Sequence, residues 1–227
     1  SRPRAGCAVT EHDTSLLDST PGVRIDLTSE LRWFFRGPLP DDVVAWFTVD
    51  GAAGLPEQRV DLYRTSDEVD AGLKRRGGTI LELKLRHGSP AAFELDDRSV
   101  GLLERWQRWS PAGDRVLGAG HVDWTVVDKS IVKRRFDLEG TEFMLTEATR
   151  PMTGVGCDAE IVTVSVDGAS AWSFSFAAFG LLDDHQRLLA EAWSSLLRRP
   201  RPAELVLGVE HSFGYPQWLA GGAAGGA

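Results

Sequence analysis

Two short stretches of the chain gather cations at strand spacing. Lys74, Arg75, Arg76, Lys84 and Arg86 lie within residues 72–86 against Glu82 alone, and Lys129, Lys133, Arg134 and Arg135 lie within 129–135 with no acid. Together these segments hold nine of the 25 basic side chains and one of the 33 acids. A protein of formal charge −8 that concentrates its cations in this way can present a local positive field to an anion. The plainer use of such residues is to solvate strand faces. Asp158 and Glu160 are two apart and so share one strand face, where solvated acids are the plain reading. His121 and Asp123 share that spacing but lack a third ligand nearby, and metal sites ask for three or more from the protein. Asp183-Asp184-His185 reads as a helix start, and His211 has no partner that spacing identifies. Trp33, Trp124 and Trp172 could stack on bases, although packing is the stronger use of such rings. The chain has no G-x-S-x-G elbow, no G-x-x-x-x-G-K-[ST] loop and no strand-linked G-x-G-x-x-G.

The elements that must position these residues are mostly strands. Residues 72–86 read as a β-hairpin, with Gly77-Gly78 supplying positive φ in a two-residue turn. Its second arm puts Leu81, Leu83 and Leu85 on one side and Glu82, Lys84 and Arg86 on the other. In 59–65, Val60 and Leu62 alternate with Arg59, Asp61 and Tyr63. Further strands are expected at 31–37, 124–138, 141–149, 159–168, 171–179 and 203–211, with turns at Gly140 and Asp167-Gly168. Residues 106–110 fit a strand or a helix end. A short helix opens at Pro40-Asp41-Asp42, with Val43, Val44 and Phe47 on its apolar face. A longer one spans about 184–197, with a capping-box-like Asp183…Gln186 and an apolar stripe from Leu181 through Leu188, Leu189, Ala192, Trp193 and Leu196.

Strands joined by hairpins, with two helices, predict a mainly β (α+β) protein: an antiparallel barrel or strongly curved sheet partly covered by helices. One domain is expected over 23–211, with 1–22 a loose lead and 212–227 a tail. Polar and apolar faces alternate, and two arrangements satisfy that. Either the apolar faces point inward around a greasy ligand, or the polar faces line a wet tunnel. Buried cations in such a tunnel need paired carboxylates, water or a polyanion.

At 42% hydrophobic and 26% charged residues, the composition is that of a folded globular chain and excludes disorder. No apolar run reaches the ~18 residues of a membrane helix. Cys7 and Cys157 are too few for a disulfide framework, so a reducing cytoplasm is the default location.

GLKRRGG followed by LELK resembles the paired strands of the CYTH, or triphosphate tunnel, superfamily, and the resemblance runs in consistent order over roughly residues 28–180. It implies an eight-stranded antiparallel tunnel whose basic residues hold a triphosphate and whose acids bind Mg²⁺ or Mn²⁺. Carried over, Lys74 and Arg76 match the alternating basic pair, Lys84 the lysine of the next strand with Arg86 beside it, and Lys129, Lys133 and Arg135 the later central strand. Asp158 and Glu160 match a late pair of metal-binding carboxylates. The family's first strand reads Glu-x-Glu-x-Lys. Here the nearest stretch is Thr28-Ser29-Glu30-Leu31-Arg32, so Glu30 and Arg32 fill two of three roles and Thr28 replaces a glutamate.

The resulting expectation is a small phosphate-rich anion held by Arg32, Arg59, Lys74, Arg76, Lys84, Arg86, Lys129, Lys133 and Arg135, with Glu30, Asp158 and Glu160 as the metal set. Hydrolysis of a tri- or polyphosphate and non-catalytic binding of a polyanion or organic phosphate both remain open. A hydrophobic ligand in an apolar barrel is a third reading. Neither nucleic acid nor membrane is an expected partner, and the oligomeric state is left open.

Overall fold

The computed structural model describes residues 23–48, 56–111, 123–143 and 154–221. Its frame is eight strands: β1 (Val23–Arg36), β2 (Glu57–Arg64), β3 (Ala71–Arg76), β4 (Ile80–Arg86), β6 (Ser99–Pro111), β7 (Trp124–Phe136), β9 (Gly156–Val166) and β10 (Ala169–Phe179). They pair in the order β1-β10-β9-β7-β2-β3-β4-β6, and β6 returns to β1, which closes an antiparallel barrel. Two shorter strands, β5 (Ala91–Asp96) and β8 (Glu142–Phe143), add to the edges of β6 and β7. Closure removes the open edges that would otherwise template association. Among the described residues no helix is long and apolar enough to cross a membrane.

The turns follow their glycines. Val166 pairs with Ala169 across Asp167-Gly168, a two-residue turn with φ of 49° and 79°, as a primed hairpin turn requires. The β3–β4 turn is one residue longer than expected: Arg76 pairs with Ile80. Gly77 and Gly78 take φ of 56° and 75°, and the Thr79 N–H donates to the Arg76 carbonyl at 3.2 Å. The 106–110 segment resolves as strand, since it lies inside β6 and pairs with both β1 and β4.

The barrel has its polar faces inside and its main core outside. On β1, Leu31 and Trp33 are fully buried outward, and on β10 Phe174 and Phe176 do the same. These meet two helices, α1 (Asp41–Thr48) and α2 (His185–Leu196). Phe174 packs edge-on against Phe47 at 6.0 Å, and Phe176 edge-on against Trp193 at 6.0 Å. Truncating such a ring costs about 3–5 kcal/mol. Val43, Trp46 and Phe47 are the buried side of α1. Trp33 and Trp172 are core residues rather than stacking platforms.

Three local expectations are corrected and one is met in its described part. Residues 203–211 form no strand: Leu207 makes a single parallel bridge to Ser99, and a 3-10 turn at Val209–His211 carries the chain away. Asp184 caps α2 without a side-chain bond, and Leu181 is 68% exposed, so the capping box and the first stripe residue do not form. Of 141–149, Glu142 and Phe143 are strand and 144–149 lie outside the described residues, as do Cys7 and His121. Finally, residues 212–220 enter the fold. A short helix α3 (Tyr215–Ala220) packs Tyr215, Trp218 and Leu219 against Tyr63, Val127 and Val164, which are inward positions of β2, β7 and β9. Phe34 of β1 stacks on Trp218 at 4.5 Å. The helix therefore occupies one end of the barrel.

Candidate functional site

Alternation along each strand delivers the inner wall. Arg24, Asp26, Thr28, Glu30 and Arg32 come from β1, Lys74 and Arg76 from β3, Glu82 and Lys84 from β4, and Trp106 and Arg108 from β6. Lys129, Lys133 and Glu160 complete it from β7 and β9, with Arg59 from β2 and Tyr215 from α3. The cavity within the barrel measures about 430 Å³, within the usual range for a small-ligand site. Nine basic side chains and five carboxylates line it, an excess of four. Asp61, fully buried behind that wall, reduces the excess to three. The sign of the barrel is thus settled: Leu83 and Leu85 face outward at 38% exposure while the alternating Glu82 is buried and Lys84 lines the cavity.

Each inner cation leans on a carboxylate. Lys74 and Arg76 both pair with Glu82 at 2.9 Å. Lys84 Nζ donates to Glu30 Oε1 at 2.5 Å, and Thr28 Oγ1 donates to the same oxygen at 2.8 Å. Lys133 reaches Glu160 at 2.9 Å and Asp158 at 3.3 Å. Arg59 sits between Glu57 at 2.8 Å and Asp61 at 2.9 Å. Arg32 donates to Ser173 Oγ at 3.1 Å, lies 3.9 Å from Glu160 and stacks over the Tyr215 ring at 5.0 Å. This pairing makes a charged interior tenable, because unpaired ions would suffer the full desolvation penalty.

The environment shifts these groups strongly. Burial raises the Glu30 carboxyl, but Lys84 and Arg32 outweigh it and bring the pKa down to about 2. Burial likewise opposes ionisation of Glu82 and Glu160. Lys74, Arg76 and Arg108 hold the first well below the usual carboxylate range, and Lys133 and Arg32 hold the second there. Lys74 goes the other way: burial exceeds the help of Glu82 and lowers its ammonium to about 8. Lys129 is pushed well below the lysine range by burial, despite Asp61. Its Nζ donates to Asp61 at 2.9 Å and to the Tyr63 hydroxyl at 2.7 Å, and lies 3.9 Å from the Tyr215 ring centre.

The structure thus brings Arg32, Arg59, Lys74, Arg76, Lys84, Lys129 and Lys133 to one cavity with Glu30 and Glu160. It does not bring Arg86, Arg135 or Asp158 to that wall. Arg86 is held by Glu104 at 2.7 Å and by Asp70, beside the Trp106 ring. Arg135 grips Asp158 with two bonds of 2.5 and 2.9 Å, and Asp158 is fully buried. The intended metal set is therefore split: Asp158 is saturated, and Glu30 and Glu160 are each bonded to a lysine. Among the described residues no three His, Cys, Asp or Glu side chains gather as a metal site. Two lumen carboxylates fit an ion that also takes ligands from a bound phosphate, as Mg²⁺ commonly does, and not one held by protein alone.

Sequence reasoning passed over several wall residues. Glu82 and Asp61 share the alternation of Lys84 and Arg59 and were legible as partners of the cations. Arg108 had no such signal while its segment fitted two elements. Tyr215 lay in an expected tail, yet its hydroxyl is buried against the cavity, makes no hydrogen bond among the described residues, and is pushed up to about 12 by burial. No family model matches the chain, and no curated protein matches it.

Proposed function

We propose that the protein binds a small phosphate-rich anion inside the barrel, in a tunnel of the CYTH kind. The observation that carries this reading is the gathering of nine basic side chains against five carboxylates, with Asp61 buried behind them, around a cavity of about 430 Å³. Charge-assisted bonds from lysine and arginine to phosphate oxygens are the strong class of hydrogen bond, and here the donors are already gathered and held in place. Lys74, Arg76 and Lys84 on adjoining strands, with Arg32 and Lys133 across the cavity, are the groups assigned to the phosphates. The unpartnered Tyr215 hydroxyl supplies a neutral donor. Leu81, Leu83 and Leu85 point away from the cavity, which gives no support to a greasy ligand in the barrel.

Metal-assisted hydrolysis of a tri- or polyphosphate is a second reading, favoured by the two lumen carboxylates Glu30 and Glu160 on either side of Arg32. A Mg²⁺ or Mn²⁺ ion arriving with the phosphate would be held by these two and would supply Lewis-acid chemistry. The residues themselves bind and orient the anion whether or not an ion accompanies it. Thermal melting with inorganic triphosphate, with and without Mn²⁺, and phosphate release followed in the same samples separates the readings. Saturation at 1,000 times the Kd should add about 4 kcal/mol of stability. A shift without turnover supports binding, a Mn²⁺-dependent shift with released phosphate supports hydrolysis, and no shift overturns both.

A further inference from the structure

Lysine is rare in this chain, and its placement differs from that of arginine. Of the 25 basic side chains four are lysine: Lys74, Lys84, Lys129 and Lys133. All four line the barrel cavity. The cavity's other five cations are arginines, and every basic residue elsewhere in the sequence is an arginine too. Charge alone does not ask for this division, since arginine pairs with carboxylates and phosphates at least as well. What arginine lacks is a primary amine that gives up its proton and acts as a nucleophile.

The four amines are not held alike. Lys133 lies between two acids, Glu160 at 2.9 Å and Asp158 at 3.3 Å. Lys84 has Glu30 at 2.5 Å. Lys129 is 3% exposed and is enclosed by Asp61, the Tyr63 hydroxyl and the Tyr215 ring. Lys74 is the exception. Cross-strand register sets it opposite Glu82 on β4 and Tyr63 on β2. Glu82 is 2.9 Å from Lys74 and from Arg76 and 3.9 Å from Arg108, so one carboxylate is divided among three cations. Burial, with Arg76 and Lys84 close by, therefore outweighs Glu82 and Asp61 and brings the Lys74 ammonium down to about 8. Desolvation and a neighbouring cation are the two devices that activate a lysine toward carbonyl groups.

We infer that the cavity takes a small organic phosphate carrying an aldehyde or ketone, and that Lys74 forms an imine with its carbonyl carbon. The inference rests on the anion reading of the cavity: Arg76 and Arg108, which share Glu82 with Lys74, hold the phosphate beside the amine. Nζ attacks the carbonyl carbon as the free amine, and a C–N bond forms. The carbonyl oxygen takes up the two amine protons and leaves as water. The step is a condensation, with nothing oxidised or reduced. The imine, once protonated, is again a cation and keeps Glu82 as its counter-ion. Inorganic triphosphate has no carbonyl and occupies the same cations without this step.

Amine chemistry tests this with little background, because the four cavity lysines and the chain's α-amino group are its only primary amines. The full-length chain is incubated with pyridoxal 5′-phosphate, a phosphorylated aldehyde, then reduced with borohydride and mapped by peptide mass. The expected result is a single reduced adduct on Lys74, lost in Lys74→Arg and suppressed by excess inorganic triphosphate. Pyridoxal, which lacks the phosphate, should label about tenfold less. Labelling should rise between about pH 6 and about pH 8.5, as the ammonium loses its proton. Lys74→Arg keeps a cation beside Glu82, and its melting curve controls for folding. Label on another amine with Lys74 unmodified overturns the inference. So does the absence of label in a protein whose melting temperature still rises with triphosphate, and the anion site then stands. Absence of both the label and the rise overturns both readings. Equal labelling by pyridoxal, indifferent to triphosphate, also overturns the inference, since the phosphate then plays no part.

Discussion

Glu82 is the hinge of the inner wall, and Glu82→Gln separates its two roles. The carboxylate is 4% exposed, bonds Lys74 and Arg76 at 2.9 Å and lies 3.9 Å from Arg108. Removing its charge while keeping its shape leaves Lys74 and Arg76 without an anion and Arg108 with Asp26 alone. Breaking a buried pair in this way costs about 3–5 kcal/mol. At about 2–4 °C per kcal/mol for a chain of this size, the melting temperature should drop by roughly 10 °C. In the wild type an incoming triphosphate must displace Glu82 from these cations, whereas in the variant it replaces the missing charge. Its binding should therefore tighten at least tenfold, ~1.4 kcal/mol, and the ligand-induced rise in melting temperature should exceed that of the wild type. The assay is differential scanning calorimetry with and without inorganic triphosphate at about pH 6, below the lowered value for Lys74. A variant that melts like the wild type refutes the ion-pair account. One that is destabilised but gains no more from triphosphate than the wild type refutes the anion site.

Three further outcomes follow from the same geometry. Triphosphate affinity should fall as pH rises from 7 to 9, because Lys74, lowered to about 8, loses its proton; titration calorimetry across that range should show the step disappear in Lys74→Met. On the acid side, Glu30 has a folded pKa of about 2 against an ordinary value of 4.5, and Glu82 and Glu160 are also lowered. Their stabilisation is complete above 4.5 and is lost as pH falls toward 2, so urea midpoints should hold down to about pH 5 and fall below it. Gly101→Ala would place a Cβ 2.6 Å from Trp33 Cζ2 in a packed wall, and should destabilise by about 1–3 kcal/mol in chemical denaturation without altering anion binding.

Much of the frame was legible because period-two alternation survives in the strands that matter. The 72–86 hairpin, the faces of 59–65 and the pairing of Lys84 with its own-face neighbours all follow from it. Alternation states that two faces differ and not which is inside. The usual rule, apolar inward, fails here because this protein has two interiors: a wet one within the barrel, and a dry one between Leu31, Trp33, Phe174 and Phe176 on the barrel's outside and the helices α1 and α2. Arg108 was hidden by a segment whose apolar spacing fits both periods. Tyr215 was hidden because a six-residue helix stabilised only by its docking carries no amphipathic signal of its own. The split of Asp158 from Glu160 is a depth effect: two residues along one face moves about 6.6 Å along a strand, enough to pass from the cavity wall to the buried pair with Arg135.

The most direct test of the central claim is isothermal titration of inorganic triphosphate into the wild-type protein and into Lys84→Ala, with matched melting curves as a control on folding. One molecule of triphosphate should bind per barrel, weakening steeply with added salt, and Lys84→Ala should lose at least tenfold in affinity, ~1.4 kcal/mol. No heat of binding to the wild type, or equal affinity in the two proteins, would contradict the assignment of the barrel interior as an anion site.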